Sequence, residues 1–143
     1  MSIANILADK GRDVQTIQPH RTLAEAARIL AERRIGAAVV TGADGAVLGI
    51  LSERDIVRAV SEAGSEALAE PVSKRMTAKV MSCPESTSIE TAMEMMTAGK
   101  FRHLPIVQNG RLSGIISIGD VVKRHIEKIE AETKAMRDYI AMA

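Results

Sequence analysis

Gly49-Ile50-Leu51-Ser52-Glu53-Arg54-Asp55-Ile56-Val57 and Gly114-Ile115-Ile116-Ser117-Ile118-Gly119-Asp120-Val121-Val122 carry glycine, serine and aspartate in step, with apolar residues between them. A match of that kind within one chain points to an internal duplication. Upstream, Leu23-Ala24-Glu25-Ala26-Ala27-Arg28-Ile29-Leu30 aligns with Ile89-Glu90-Thr91-Ala92-Met93-Glu94-Met95-Met96, one residue out of register with the first match. The slip belongs to a turn: Gly42-Ala43-Asp44-Gly45 is longer than Gln108-Asn109-Gly110, and turn tips absorb insertions most easily.

Each copy reads helix, strand, strand, helix. In the first, Thr22 with Glu25 three residues later forms a capping box, and Leu23, Ala26, Ala27 and Leu30 make one apolar stripe of a helix ending near Arg34. Ile35 to Thr41 and Ala46 to Leu51 flank a Gly/Asp turn as a hairpin, and Ser52 caps a second helix carrying Ile56, Val57 and Val60. In the second copy Ser88 starts the helix, Phe101 to Val107 and Arg111 to Ile116 form the hairpin, and Ser117 caps the last helix. A sheet this small is marginal alone, so the copies are expected to pack on each other with pseudo-twofold symmetry and to share clefts between equivalent loops.

Composition fits one domain. The chain has 143 residues, 46% of them hydrophobic, enough for a real core. Lys and Arg total 19 against 18 Asp and Glu, so no net charge draws the protein to nucleic acid or to an anionic membrane. Cys83 is the sole cysteine, which rules out an intramolecular disulfide and a four-cysteine zinc site. No run approaches the roughly 20 apolar residues of a membrane span, and Met1 to Gly11 lack a signal-peptide core. A cytoplasmic protein is the expectation.

The duplicated segment is also the best candidate for chemistry. A strand delivers Ser52 or Ser117 to a helix N-terminus, where free N–H groups favour a phosphate, and Asp55 or Asp120 can accept hydrogen bonds from a ribose diol. Capping alone explains the serines; it does not require the aspartates. Arg102-His103-Leu104-Pro105 begins the second hairpin, and its arginine and histidine suit a phosphate. The counterpart in copy one, Gly36-Ala37-Ala38-Val39, is uncharged, so the second cleft is expected to be the better anion site. Met93, Met95 and Met96 read as core filler rather than a metal site, and Cys83 reads as a buried or incidental thiol. No metal is expected.

Together these features resemble a tandem pair of cystathionine-β-synthase (CBS) domains, a Bateman module. The resemblance rests on Pro84 and Ser88 ahead of the copy-two helix, on His103-Leu104-Pro105-Ile106-Val107, and on both Gly-x-x-Ser-x-x-Asp segments. Val72 through Met76-Thr77 and Ile3 through Leu7 resemble the lead-in that precedes each repeat. It implies an α+β fold of two β-α-β-β-α repeats, residues 1–70 and 71–127, with residues 128–143 as a helical extension. It further implies a cleft for AMP, ADP or ATP, with NAD or S-adenosylmethionine as other ligands of the family. Carried over by position, Asp120 holds the ribose with Ser117 and Ile118 beside it. Arg102 and His103, followed by Leu104 and Pro105, meet the phosphate, and Lys79, Val80 and Met81 border the base. The first-cleft counterparts are Asp55, Ser52, Ala38, Thr16 and Ile17, with Arg54 supplying phosphate charge there or reaching across to the second site.

Beyond the last repeat, Val122, Ile126, Ile129, Thr133, Met136 and Ile140 alternate steps of four and three, a heptad-like seam that implies a homodimer. Glu127, Lys128, Glu130, Glu132 and Lys134 read as its solvated flank. The function expected is regulatory: nucleotide occupancy changes repeat or subunit packing, which an unidentified partner reads. The alternatives are a structural adaptor with vestigial clefts and a small enzyme, the latter lacking an identifiable set of nucleophile, base and electrophile.

Overall fold

The computed structural model describes residues 1–142; Ala143, the last residue of the expected extension, lies outside the described residues. In chain order the elements are α1 (Ile3–Lys10), β1 (Thr16–Ile17), α2 (Leu23–Arg33), β2 (Ala37–Thr41), β3 (Val47–Ser52), α3 (Glu53–Ala63), a 3-10 segment (Gly64–Ala69), α4 (Val72–Arg75), α5 (Ile89–Gly99), β4 (His103–Gln108), β5 (Arg111–Ser117) and α6 (Ile118–Met142). The four expected caps are all made. Thr22 and Ser88 accept the N–H of Glu25 and Thr91 at 3.2 and 3.0 Å, and Ser52 and Ser117 accept that of Asp55 and Asp120 at 3.3 and 3.2 Å. Each cap replaces water on a donor the helix cannot satisfy, worth about 1 kcal/mol.

The hairpins β2–β3 and β4–β5 are antiparallel and in equivalent register: Ala37 faces Ser52 as His103 faces Ser117, and each has an irregularity at the same place, after Val40 and after Ile106. They differ at the lead strand. β1 runs parallel to β2 and makes a three-stranded sheet, whereas the second copy has only a single bridge between Cys83 and Ile106. Its β-α-β-β-α pattern therefore lacks the first strand. The cause is Pro105. In the first copy the Val39 N–H donates to Gln15 O at 3.0 Å, and the residue in Val39's place, paired with Ile115 as Val39 is with Ile50, is a proline without an N–H.

Two cores result, and each takes its lead-in helix from the other copy. Leu23, Ala26, Leu30, Val40 and Leu51 are closed by Ala67 and by Val72 of α4, while Ile89, Met96, Leu104, Ile106 and Ile116 are closed by Ile3, Ile6 and Leu7 of α1. The exchange is pinned by equivalent backbone bonds. Val72 and Ser73 donate to Arg21 O and Pro19 O at 2.7 and 3.0 Å; Ile3 and Ala4 donate to Thr87 O and Glu85 O at 2.9 and 3.0 Å. Ile3–Leu7 and Val72–Thr77 are thus matching lead-ins, as their sequences suggest.

The exchange also explains the motif glycines. A Cβ at Gly49 would lie 2.6 Å from Thr77 O and 2.8 Å from Met76 Sδ, and one at Gly114 would lie 2.7 Å from Leu7 Cδ2. Each glycine lets the opposite lead-in cross directly over its strand. Met96 is fully buried and Met93 and Met95 are packed against it, as core filler should be. Cys83 is a buried free thiol whose titration burial pushes up, with a smaller opposing effect from its hydrogen bond to Thr87.

Candidate functional site

A cleft of about 580 Å³ lies where the two copies meet; Gly36 borders it from the α2–β2 connection, and four further stretches of chain build it. The β3–α3 junction supplies Ser52, Glu53, Arg54, Asp55 and Arg58; the second lead-in supplies Thr77, Lys79, Val80 and Met81; the α5–β4 turn supplies Gly99 to His103; the β5–α6 junction supplies Ser117 and Ile118. Residues 79–81 precede the Cys83 bridge, as residues 13–15 precede β1, and border the cleft, with Met81 half exposed.

Most of the expected site residues therefore converge, but they are grouped differently. Lys79, Val80, Met81, Arg102, His103, Ser117 and Ile118 share the cleft with Ser52, Arg54 and Asp55, so the aspartate that faces the second lead-in is Asp55. Asp120 does not line this cleft. It lies in a smaller hollow of about 250 Å³ between α1 and α6 with Lys10, Lys123 and Arg124. The expectation that placed Asp120 with Lys79, Arg102 and His103 followed proximity along the chain; exchange of the lead-ins brings each one to the motif of the other copy.

The remaining expected residues lie elsewhere. Thr16, Ile17 and Ala38 line neither hollow: Ile17 and Ala38 are core residues of the first copy, and Thr16 is spent in β1. Leu104 and Pro105 are buried and do not line the cleft. Arg54 lines the one cleft that holds both Asp55 and the Arg102–His103 pair, so the two places the sequence left open for it coincide. Gly36, Ile50, Glu53, Arg58, Thr77, Gly99, Lys100 and Phe101 were not foreseen. Arg58 was detectable as the cation one turn after Asp55, 4.0 Å away; the others are brought in by the meeting of the copies.

The two aspartates now differ in state. Asp55, which lines the cleft, accepts Ser52 N–H at 2.9 Å and Ser52 Oγ–H at 3.1 Å through Oδ2, and its Oδ1 lies 4.0 Å from the Arg58 guanidinium. Asp120 accepts Ser117 N–H at 2.8 Å and the Lys10 ammonium at 2.7 Å on the same oxygen, and Lys10 also donates to Ile115 O at 2.9 Å. Burial would raise the Asp120 titration, but Lys10 and Ser117 outweigh it and hold the carboxyl below its ordinary range. α1 continues helically to Lys10, whereas α4 stops after one turn at Arg75, which leaves Lys79 without a carboxylate partner among the described residues.

His103 stands at the seam between copies. A Cβ on Gly36 would lie 3.3 Å from its Nε2, so that glycine makes room for the imidazole, and Glu53 is alongside. Burial is the main influence and Lys10 adds to it; both lower the His103 titration against the opposing pull of Glu53 and Asp120, which favours the neutral ring. The cleft mouth carries five cations, Arg54, Arg58, Lys79, Lys100 and Arg102, against Glu53 and Asp55, an arrangement suited to a ligand with a polar hydroxyl end and an anionic end. Among the described residues no group of three His, Cys, Asp or Glu is placed to hold a metal, and no helix is long and apolar enough to cross a membrane.

The CBS domain family model matches residues 8–62 and again residues 71–127. The chain belongs to the CBS domain family. As a tandem CBS pair it is similar to a CBS-domain containing protein from Agrobacterium tumefaciens, whose crystal structure is 50% identical, with a TM-score of 0.85 over 87% of this chain and 99% of that one. A CBS domain protein from Pyrobaculum aerophilum, solved in complex with AMP, is 29% identical with a TM-score of 0.74 over 84% of this chain and 89% of that one. An uncharacterized 17.7 kDa protein of Acidianus ambivalens is 40% identical over 77% of this chain. The CBS pair spans 66% of that protein's length and 21% of the length of the plant relative CBSCBSPB5 from Arabidopsis thaliana.

Proposed function

We propose that this CBS pair is a cytoplasmic, non-catalytic regulatory module that binds one adenine nucleotide per chain in the central cleft. The observation that carries the reading is the meeting of Asp55 and Ser52 from one repeat with Arg102, His103 and Lys79 from the other. A ribose diol donates to Asp55, the base lies against Val80, Met81 and Phe101, and phosphate faces Arg54, Arg102 and Lys79. AMP, ADP and ATP fit this charge distribution best; NAD brings a weaker match, and S-adenosylmethionine brings a cation toward five others. AMP bound to the Pyrobaculum relative supports the same class of ligand.

Because chain segments from both copies line the cleft, an occupant bridges residues 1–70 and 71–127 and biases how they pack; the part of α6 beyond Glu127 transmits the change to a second subunit or a partner protein. The chain acts as a homodimer in this reading, since α6 exposes Ile126, Ile129, Met136 and Ile140 to water. The hydroxyls of Ser52 and Ser117 are engaged as caps, which leaves no activated nucleophile and supports binding rather than turnover.

Titration calorimetry with AMP, ATP, NAD, S-adenosylmethionine and adenosine tests the proposal. One site per chain is expected, tighter for the phosphorylated ligands, with Arg102→Ala weakening AMP far more than adenosine. The adaptor reading has its own support in Lys10, which occupies the second aspartate as a ligand would; it is favoured if none of the five compounds binds.

A further inference from the structure

α6 outlasts the domain it closes. Val121 is fully buried and Arg124 donates to Asn5 O at 2.9 Å, but from Ile129 to Met142 every residue is exposed. A helix of 25 residues is about 37 Å long, and its free half carries a continuous apolar seam on a face that turns away from the docked one. With Val122, Ile129 and Met136 at d and Ile126, Thr133 and Ile140 at a, the flanking residues are Lys123, Glu130 and Arg137 at e, and His125, Glu132 and Tyr139 at g.

The flanks discriminate between the two ways a second copy can lie on this seam. Pairing the whole seam antiparallel sets e against e and g against g. Lys123 then faces Arg137 of the partner subunit, Glu130 faces Glu130 of the partner subunit, and Glu132 faces Glu132 of the partner subunit, so like charges meet at every level but one. Pairing in parallel sets each g against the following e. Glu132 then faces Arg137 of the partner subunit, and His125 faces Glu130 of the partner subunit, twice each by symmetry. Thr133 meets its own counterpart, a polar layer that disfavours other registers.

We infer that α6 forms a parallel, in-register two-stranded coiled coil with a second copy of this chain, through Ile126, Ile129, Thr133, Met136 and Ile140. This rests on the homodimer reading and adds its surface and orientation. Parallel pairing sets the two CBS pairs at the same end of the coil, related by a twofold axis along it. The occupant is another copy because the charges that flank the seam complement each other.

Sedimentation equilibrium of the full chain tests the surface, with Met136→Glu as the variant, since Met136 is 60% exposed in the single chain and its replacement leaves the fold intact. A dimer is expected whose dissociation constant rises at least about a hundredfold in Met136→Glu, through loss of two buried side chains. Arg137→Glu tests orientation: it weakens a parallel dimer roughly fivefold but strengthens an antiparallel one by pairing with Lys123. Mixing Glu132→Arg with Arg137→Glu restores the parallel pairs in a heterodimer. Thr133→Cys should cross-link to itself under mild oxidation, the native Cys83 being buried. A dimer indifferent to Met136→Glu overturns the coiled coil and leaves the homodimer reading standing. A dimer strengthened by Arg137→Glu and not cross-linked at 133 overturns the parallel orientation. A monomer at micromolar concentration overturns both readings.

Discussion

Replacing the two aspartates one at a time separates the cleft that binds from the one that is filled from within. In Asp55→Ala the carboxylate that faces the cleft is removed. Its side chain is only 10% exposed, so hydrogen bonds from a ribose diol would form largely out of bulk water. Two bonds to a charged acceptor at about 1.5 kcal/mol each, the low end for such bonds, come to about 3 kcal/mol, or a roughly hundredfold rise in the dissociation constant for AMP. The fold loses the acceptor for Ser52 N–H, at a cost of about 1 kcal/mol. Asp120→Ala reverses the pattern. It removes the Ser117 contact and strands Lys10, whose side chain is 36% exposed, so solvent holds that loss to about 1 kcal/mol beyond the cap. AMP affinity should change by less than about threefold. Calorimetry for affinity and urea unfolding for stability measure both. A folded Asp120→Ala that binds AMP more weakly than Asp55→Ala would refute the reasoning and return the ribose to the second motif.

Other changes probe the features that shape the cleft. Gly49→Ala should destabilise the fold by about 2 kcal/mol, because its methyl group meets the Thr77 backbone carbonyl at 2.6 Å; Gly114→Ala meets the end of the Leu7 side chain and should cost less, both read by urea unfolding. Pro105→Val restores the N–H that Val39 has and should let Met81 O accept it as Gln15 O does, pairing Ser82 with residue 105. The expected result is new amide protection at 105 with weaker AMP binding, measured by hydrogen exchange and calorimetry. His103 has its titration lowered in the folded state, so folding stability is full above its unfolded value of about 6.5 and falls as pH drops below it. His103→Gln should flatten the loss of melting temperature between about pH 6.5 and 5, with no change above pH 7.

Much of the architecture was legible because it is local. Thr22, Ser52, Ser88 and Ser117 cap the helices they precede, since a cap needs only the next three residues, and the hairpins follow from two apolar runs around a glycine-bearing turn. The duplication was equally legible, because self-similarity is a property of the string. From it came the expectation that equivalent loops share a cleft, and ten of the expected residues do line one. The strand missing from the second copy was readable in principle: Pro105 announces the lost donor, but only once Val39 is known to give that donor in the first copy.

What the string could not show was which lead-in crosses to which motif. α1 and α4 are each short and amphipathic, and either could cover the sheet beside it or the sheet of the other copy; the choice is made by burial of Ile3 and Leu7 against Leu104 and Ile106, and of Val72 against Leu51. That long-range choice decides that Asp55 rather than Asp120 joins Arg102 and His103, and that Lys10 neutralises Asp120. Periodicity, capping and repetition act between neighbours, so the sequence by itself determined the capped helices, the two hairpins, the tandem CBS pair and the residue types of the cleft. Only the tertiary structure decided how they are grouped, because the free energy that selects one docking of two similar helices lies in contacts between distant segments.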